Sequence, residues 1–343
     1  MSDRRKFIKT ASLVAGGLLL NPELSLANSN FSSEKYNIKP KRLSKGDTIA
    51  ITSPAGAVWD EKQINQFSNI LKGFGFNVVL GKTLSEKFGY FAGTDEFRAK
   101  ELNDLFSNPE IKGIFCMKGG WGSARLLDKI DYENISKNPK VLIGFSDITT
   151  LLNAIFAKTG LVTFHGPVGN SGWNEFTSLM FKSTIMDAMA TTLLIGPDLT
   201  DVPYTINSGK ATGVLVGGNL TVLSSLMGSN YLPDWKGKIL FLEETKEEPY
   251  SIDRMLTQLK LAGVLNNISG FVFGKCVKCD AEEPNKAFKF IEVIEQHIKP
   301  LGIPAFYGAM TGHIENKLTL PIGIEVMMDA DKGTWHLNEA AVV

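Results

Sequence analysis

Between Lys45 and Phe164, short apolar or β-branched runs alternate with segments of helical spacing, and that rhythm leaves few folds open. Thr48-Ile49-Ala50-Ile51-Thr52 reads as a strand that stops at the loop signal Ser53-Pro54-Ala55-Gly56. Residues 60–73 set Ile64, Phe67, Ile70 and Leu71 on one helical face and end at Gly73. Further strands are predicted at Asn77–Leu80, Ile111–Met117, Val141–Phe145 and Leu161–Phe164. Helices are predicted from Thr94 or Asp95 to Phe106, across Ala124, Leu126 and Leu127, and from Asp147 to Lys158. Strands alternating with helices imply an α/β fold with a mostly parallel sheet covered on both faces. Ligands collect at the carboxyl edge of such a sheet. Ser53–Gly56, Gly119-Gly120-Trp121-Gly122 and Ser146-Asp147 all fall on that edge, so they are expected to meet.

The rhythm fails from about residue 167 to 205, where Gly169, Ser171, Gly172, Pro197 and Pro203 suggest a connecting segment with some helix. A second domain opens near Gly209. It is predicted to hold a glycine turn (Gly217-Gly218-Asn219), a helix from Leu220 to Met227 and a strand from Lys238 to Leu242. A helix from Asp253 to Leu261 and strands at Phe271–Phe273 and Leu318–Leu320 follow. With 343 residues, 43% of them apolar, the chain suits two cores better than one. The division is 1–27 export signal, 28–44 polar linker, 45–166 N-terminal α/β domain, 167–205 connection and 206–335 C-terminal domain.

The export reading rests on Arg4-Arg5-Lys6-Phe7-Ile8-Lys9, the apolar stretch Ala11–Leu20 and the small-x-small pattern Ser25-Leu26-Ala27. Paired arginines before an apolar residue resemble a twin-arginine signal, which carries proteins already folded. A periplasmic location is expected, or a cytoplasmic one if the signal is not used. The apolar stretch is too short for an ordinary membrane span. Balanced charge, 36 basic against 36 acidic residues, gives no basic excess for nucleic acid. Cys276 and Cys279 form one C-x-x-C pair and Cys116 stands alone, so neither a zinc site nor a disulfide scaffold is indicated. The pair follows a strand and reads as a strand-end pair, reduced or locally oxidised.

Ser146 stands between a strand and a helix in Gly144-Phe145-Ser146-Asp147. A serine on such a turn presents its hydroxyl outward, and the N–H groups opening the helix face a developing oxyanion. The second glycine of G-x-S-x-G is missing, and a helix N-cap serine is the plainer reading. A catalytic serine needs a base. His297 lies among Glu292, Glu295 and Lys299 and reads as solvated; His336 lies between Trp335 and Leu337. His165 ends the fifth strand on the edge of Ser146, and His313 stands in Thr311-Gly312-His313. Position alone favours His165. Glu243 and Glu244, ending the strand Ile239–Leu242, are candidates to orient the imidazole, with a pair to Arg254 as the plain alternative. Gly119-Gly120-Trp121-Gly122 is either a tight turn or a backbone cradle for an oxyanion. No nucleotide-binding glycine pattern is present.

Five segments in order resemble the LD-carboxypeptidase family, the muramoyl-tetrapeptide carboxypeptidases and their microcin-immunity relatives. They are Lys118–Leu127, Ile143–Thr149, Gly217–Leu220, Phe241–Glu244 with Ile252–Leu256, and Gly312-His313 with Leu320–Gly323. The resemblance runs from Lys45 to Asp329. It implies a Ser-Glu-His triad of Ser146, Glu243 and His313, which overrides the positional preference for His165. It implies oxyanion donors at the N–H of Asp147 and at Gly119 or Gly120. It also implies an amidotransferase-like N-terminal domain and a small β-rich, barrel-like C-terminal domain, with the site at their junction. The relative position of the domains could then gate the serine–histidine distance. Lys118, Trp121 and Glu244 stand where the family often has arginine, tyrosine and aspartate. The implied substrate is a murein tetrapeptide that loses its terminal D-alanine; no metal or other cofactor is implied, and a homodimer is compatible. A peptide–nucleotide amide is the alternative substrate, and a non-catalytic periplasmic peptide-binding protein is the alternative of another class.

Overall fold

The computed structural model describes residues 37–190, 192–193 and 203–343. The export-signal reading of 1–27, the first part of the linker and Pro197 lie outside the described residues. The elements in chain order are β1 (Thr48–Thr52), α1 (Glu61–Gly73), β2 (Asn77–Leu80), α2 (Asp95–Ser107), β3 (Ile111–Cys116), α3 (Tyr132–Lys137), β4 (Val141–Gly144), α4 (Thr149–Thr159) and β5 (Thr163–His165). After α5 (Glu175–Phe181) come β6 (Thr192–Leu193), β7 (Tyr204–Asn207), β8 (Lys210–Asn219), α6 (Leu220–Ser225), β9 (Ile239–Thr245) and α7 (Pro249–Leu261). The chain closes with β10 (Gly270–Val277), α8 (Phe290–Ile298), β11 (Ala305–Ala309), β12 (Leu320–Ile322), β13 (Glu325–Asp329) and β14 (Thr334–Leu337).

The first sheet has the order β12-β5-β4-β3-β1-β2. Its first five strands in sequence are parallel, because each β–α–β step returns the chain to the same edge. The strands β3 and β4 are almost wholly buried, as apolar runs covered on both faces must be. Asp60 caps α1 by accepting from Lys62 N, and Thr94 caps α2 by accepting from Phe97 N. The predicted helix through Ala124–Leu127 is only a 3-10 turn, Ser123–Leu126. The side chain of Asp131 accepts from Asn134 N and starts a separate helix, α3.

The second sheet has the order β6-β14-β13-β8-β9-β10-β11-β7 and curls into a half-barrel. Its four central strands, β8 to β11, are parallel. Two expectations are corrected here. Gly217-Gly218-Asn219 is not a turn but the end of the ten-residue strand β8, whose ladder runs on to pair Asn219 with Glu243. The strand expected at Leu318–Leu320 is β12, and it leaves its own half to pair antiparallel with β5, Leu320 opposite His165. Leu320 and Ile322 are fully buried there, so the apolar edge of the first sheet is covered by the returning chain.

Helix α4 is buried along nearly its whole length. Asn153 donates to Gly217 O at 2.8 Å, and Asn219 N donates to Thr149 Oγ1 at 3.1 Å. The helix that follows Ser146 is thereby bonded to the strand that pairs with Glu243. On the outer face of the second sheet, Ile252, Leu256, Leu259 and Ile294 from α7 and α8 pack on Leu240, Leu242, Phe271 and Phe273. Residues 37–44, assigned to the linker on polar composition, belong to the fold: Leu43 is buried, Ile38 bridges to Leu161, and the side chain of Asn37 donates to Gly323 O. His297 is not simply solvated, since Nε2 lies 2.6 Å from Asp253 Oδ1. Cys276 and Cys279 form a disulfide at the end of β10. No helix of the described residues is long and apolar enough to cross a membrane.

Candidate active site

Ser146 lies just past β4 with φ of 62°, in the left-handed region that side chains with a Cβ avoid. The strand thus turns abruptly into a 3-10 turn, Ser146–Ile148, and then into α4. Held strain of this kind marks functional turns. The serine is half-buried, and the Gly119 loop lies against it. A methyl group placed on Gly119 would sit 2.8 Å from Ser146 Cβ and 3.1 Å from both Ser146 Oγ and Asp147 N. Only glycine permits that approach, which brings the backbone after β3 to the hydroxyl. Gly56 N donates to Gly119 O at 3.1 Å, so all three expected motifs do meet at the carboxyl edge.

Two buried polar residues hold these loops. The carboxyl group of Asp147 accepts from Ser123 N at 2.9 Å and Ser123 Oγ at 2.6 Å. Burial pushes its pKa up, and the Ser123 bonds offset only part of that. Arg98, fully buried on α2, donates to Pro54 O at 2.7 Å, Gly122 O at 3.1 Å and Asp95 Oδ1 at 2.6 Å. Periodicity gave no sign of Arg98, because an arginine between charged neighbours on a helix normally reads as solvated. Arg98→Leu is expected to cost about 2–4 kcal/mol, because it strands two carbonyls and leaves Asp95 with Arg125 alone. Urea unfolding measures this, and a loss under about 1 kcal/mol would remove the role.

Glu243 ends the apolar run of β9, and His313 lies in the loop that leads from β11 to β12. Glu243 is fully buried, and its Oε2 lies 2.8 Å from His313 Nδ1. Burial raises the pKa of Glu243, but the facing imidazoles outweigh it and hold the group at about 2. The carboxylate is therefore ionised and can only accept, which puts the His313 proton on Nδ1 and leaves Nε2 free to take one. Gly312, with φ of 104°, makes the pairing sterically feasible: a methyl group there would stand 2.6 Å from Glu243 Oε2. Gly312→Ala is expected to lower kcat by at least about 100-fold by pushing the imidazole off the carboxylate. An unchanged kcat in steady-state assays would contradict this geometry.

The ring of Phe145, next to the serine, meets the His313 ring edge-on at 4.9 Å. The residue before the serine thus touches the histidine, although no Ser146–His313 hydrogen bond is present among the described residues. Such contacts are often long before substrate binds. Glu244 does not face the imidazole. It accepts from Asn219 Nδ2, Thr221 N and Thr245 N, so it anchors the start of α6. Arg254 does not pair with Glu243 but stacks over Tyr250. Lys317, missed in the sequence, is buried beside the site with Nζ 5.4 Å from the centre of the Phe145 ring, and burial pulls its pKa down to about 8. A groove of about 500 Å³ lined by Tyr90, Phe91, Trp121, Gly122, Ala124 and Arg125 opens beside the glycine loop.

A strained serine at the edge of a parallel α/β sheet, with an imidazole–carboxylate pair in contact with its neighbour Phe145, is an arrangement suited to a hydrolase of the serine type. The chain belongs to the LD-carboxypeptidase family: residues 49–166 match the LD-carboxypeptidase N-terminal domain and residues 212–328 the C-terminal domain. It is a serine peptidase of that family. It is 38% identical over 304 residues to a probable murein peptide carboxypeptidase of Bacillus subtilis, covering 87% of this chain and 93% of that one. It is 31% identical over 327 residues to the microcin C7 self-immunity protein MccF of Escherichia coli, covering 87% and 94%. Among solved structures, MccF in the wild-type apo state superposes with a TM-score of 0.81 at 28% identity, covering 89% of this chain and all of that one. The muramoyltetrapeptide carboxypeptidase of Oxalobacter formigenes superposes with a TM-score of 0.74 at 28% identity, covering 84% and 97%.

Proposed function

We propose that the chain removes the terminal D-alanine of murein tetrapeptides through an acyl-enzyme on Ser146. The observation that carries this reading is the Glu243–His313 pair at 2.8 Å beside a serine held at positive φ. His313 Nε2 takes the Ser146 proton as Oγ attacks the carbonyl that precedes the D-residue. The N–H of Asp147 and one from the Gly119-Gly120 pair stabilise the oxyanion. His313 then gives its proton to the leaving amine, the C–N bond breaks and D-alanine departs. Water, deprotonated by the same imidazole, hydrolyses the ester and restores the serine. Glu243 keeps the imidazole in the required tautomer and stabilises its cationic form.

The likeness to the murein peptide carboxypeptidase supports the cell-wall substrate. A second reading, hydrolysis of a peptide–nucleotide amide, is favoured by the fit to MccF along that protein's whole length. The two are separated by incubating the full chain with each substrate and following free D-alanine and free nucleotide by mass spectrometry. Release of D-alanine at a kcat/KM at least about tenfold above that for the nucleotide amide is expected. The reverse order would overturn the murein reading.

We also propose export by the twin-arginine-like segment. The Cys276–Cys279 disulfide supports an oxidising compartment. Arg4→Lys with Arg5→Lys is expected to trap the protein in the cytoplasm, and unchanged fractionation would end this reading.

A further inference from the structure

The carboxylate of Glu243 has two oxygens, and only one is satisfied. Oε2 is paired with His313, whereas Oε1 is buried without a hydrogen-bond partner among the described residues. Facing it at 3.9 Å is Nε2 of His165, also buried and also without a partner. An ionised oxygen sealed from water with no donor is costly, and so is an unpaired ring nitrogen. Two such atoms facing each other across about one ångström more than a hydrogen-bond length form a pair poised to close. The histidine is well placed for this. It ends β5, its Nδ1 lies 3.3 Å from Thr311 Oγ1, and its ring is wedged between Phe145 at 6.0 Å and Phe241 at 5.1 Å. Phe145 precedes the serine and Phe241 lies on the strand of Glu243.

We propose that His165 is a positioning residue, whose Nε2–H donates to Glu243 Oε1 while Nδ1 accepts the Thr311 hydroxyl proton. The carboxylate is then held by an imidazole at each oxygen, one at the end of β5 and one in the loop after β11. His313, on the more exposed side, exchanges protons with substrate; His165, sealed within, never does. Because β5 belongs to the serine's sheet and β9 to the other, the bond also ties the nucleophile to its acid–base pair. The contact draws the two sheets together at the point where the Ser146–His313 distance is set. This inference rests on the triad proposed above.

The test uses the full chain with His165→Gln, His165→Asn and His165→Leu, assayed for D-alanine release across pH. The glutamine amide nitrogen reaches the place of Nε2, whereas that of asparagine reaches only the place of Nδ1. The leucine and asparagine variants are expected to lose about 10- to 100-fold in kcat with KM little changed, and glutamine to recover to within about threefold of wild type. The charged or titratable groups that interact with Glu243 are His313, His165, Lys317 and its strand neighbour Glu244. Removing the His165 donor leaves the carboxylate more basic, so the acid limb of kcat/KM is expected to move to higher pH in the leucine and asparagine variants and to stay in place in the glutamine variant. Equal behaviour of glutamine and asparagine, or an unshifted acid limb in the leucine variant, overturns the proposal. Should all three variants unfold, nitrogen-15 imidazole spectra of the wild-type chain decide it: a proton on Nε2 of His165 is expected, and one on Nδ1 with Nε2 bare overturns it. Ser146→Ala is run alongside. If that variant stays active the triad itself fails, whereas an inactive Ser146→Ala with unaffected His165 variants sinks the positioning role alone.

Discussion

Replacing Ser146 with alanine is expected to lower kcat for D-alanine release by about four to six orders of magnitude, with KM changed less than about threefold. The hydroxyl oxygen is the only heavy atom removed. The glycine cradle and the imidazole–carboxylate pair remain, so substrate still binds while no acyl-enzyme can form. A second effect follows from the backbone. Ser146 has φ of 62°, a conformation that glycine adopts without penalty. Ser146→Gly is therefore expected to be equally inactive yet more stable by about 1 kcal/mol, apart from a small entropic offset. Rate by mass spectrometry and stability by urea unfolding separate the two effects. An active alanine variant would remove the nucleophile, and a glycine variant less stable than wild type would remove the strain.

Replacing Glu243 with glutamine is expected to lower kcat by about three to four orders of magnitude, because a neutral amide neither fixes the His313 tautomer nor stabilises the imidazolium. It also alters the response to acid. In the native chain Glu243 sits at about 2, below the ordinary glutamate value. A depressed carboxylate contributes stability that is present above its unfolded pKa and lost as pH falls through the folded one. The contribution is roughly 3 kcal/mol at neutral pH, lost between about pH 4.5 and 2. The wild-type protein is thus expected to be more stable than Glu243→Gln at pH 7, with the gap shrinking over that window. A gap in unfolding free energy that stayed constant down to pH 2 would show that the carboxylate is not held as described.

Much of the scaffold was legible because it depends on neighbours in sequence. The alternation that predicts Thr48–Thr52, residues 60–73 and Asn77–Leu80 matches β1, α1 and β2 within one residue, and Thr94 caps α2 as its side chain suggests. Misreadings arose where a local signal had a distant cause. Gly217-Gly218 carries the mark of a turn, yet these residues end a strand lying against α4. Arg98 looks like a surface residue, yet the loops after β1 and β3 close over it.

The site divides in the same way. Ser146, Gly119 and Asp147 come from strand ends of one parallel sheet, and parallel connections bring such ends to one edge whatever the details of packing. The sequence alone therefore determined the α/β sheet, the edge at which the three loops meet and the position of Ser146 on it. It left the choice between His165 and His313 to a family resemblance, because the two approach the same carboxylate from segments far apart in the chain. Glu243 and His313 are 70 residues apart, and His165 and Thr311 are 146 apart. No repeating spacing encodes contacts of that separation. They exist because β12 returns to cover an apolar edge and α4 is packed between two sheets, and only that tertiary burial sets which imidazole stays sealed and which reaches the crevice.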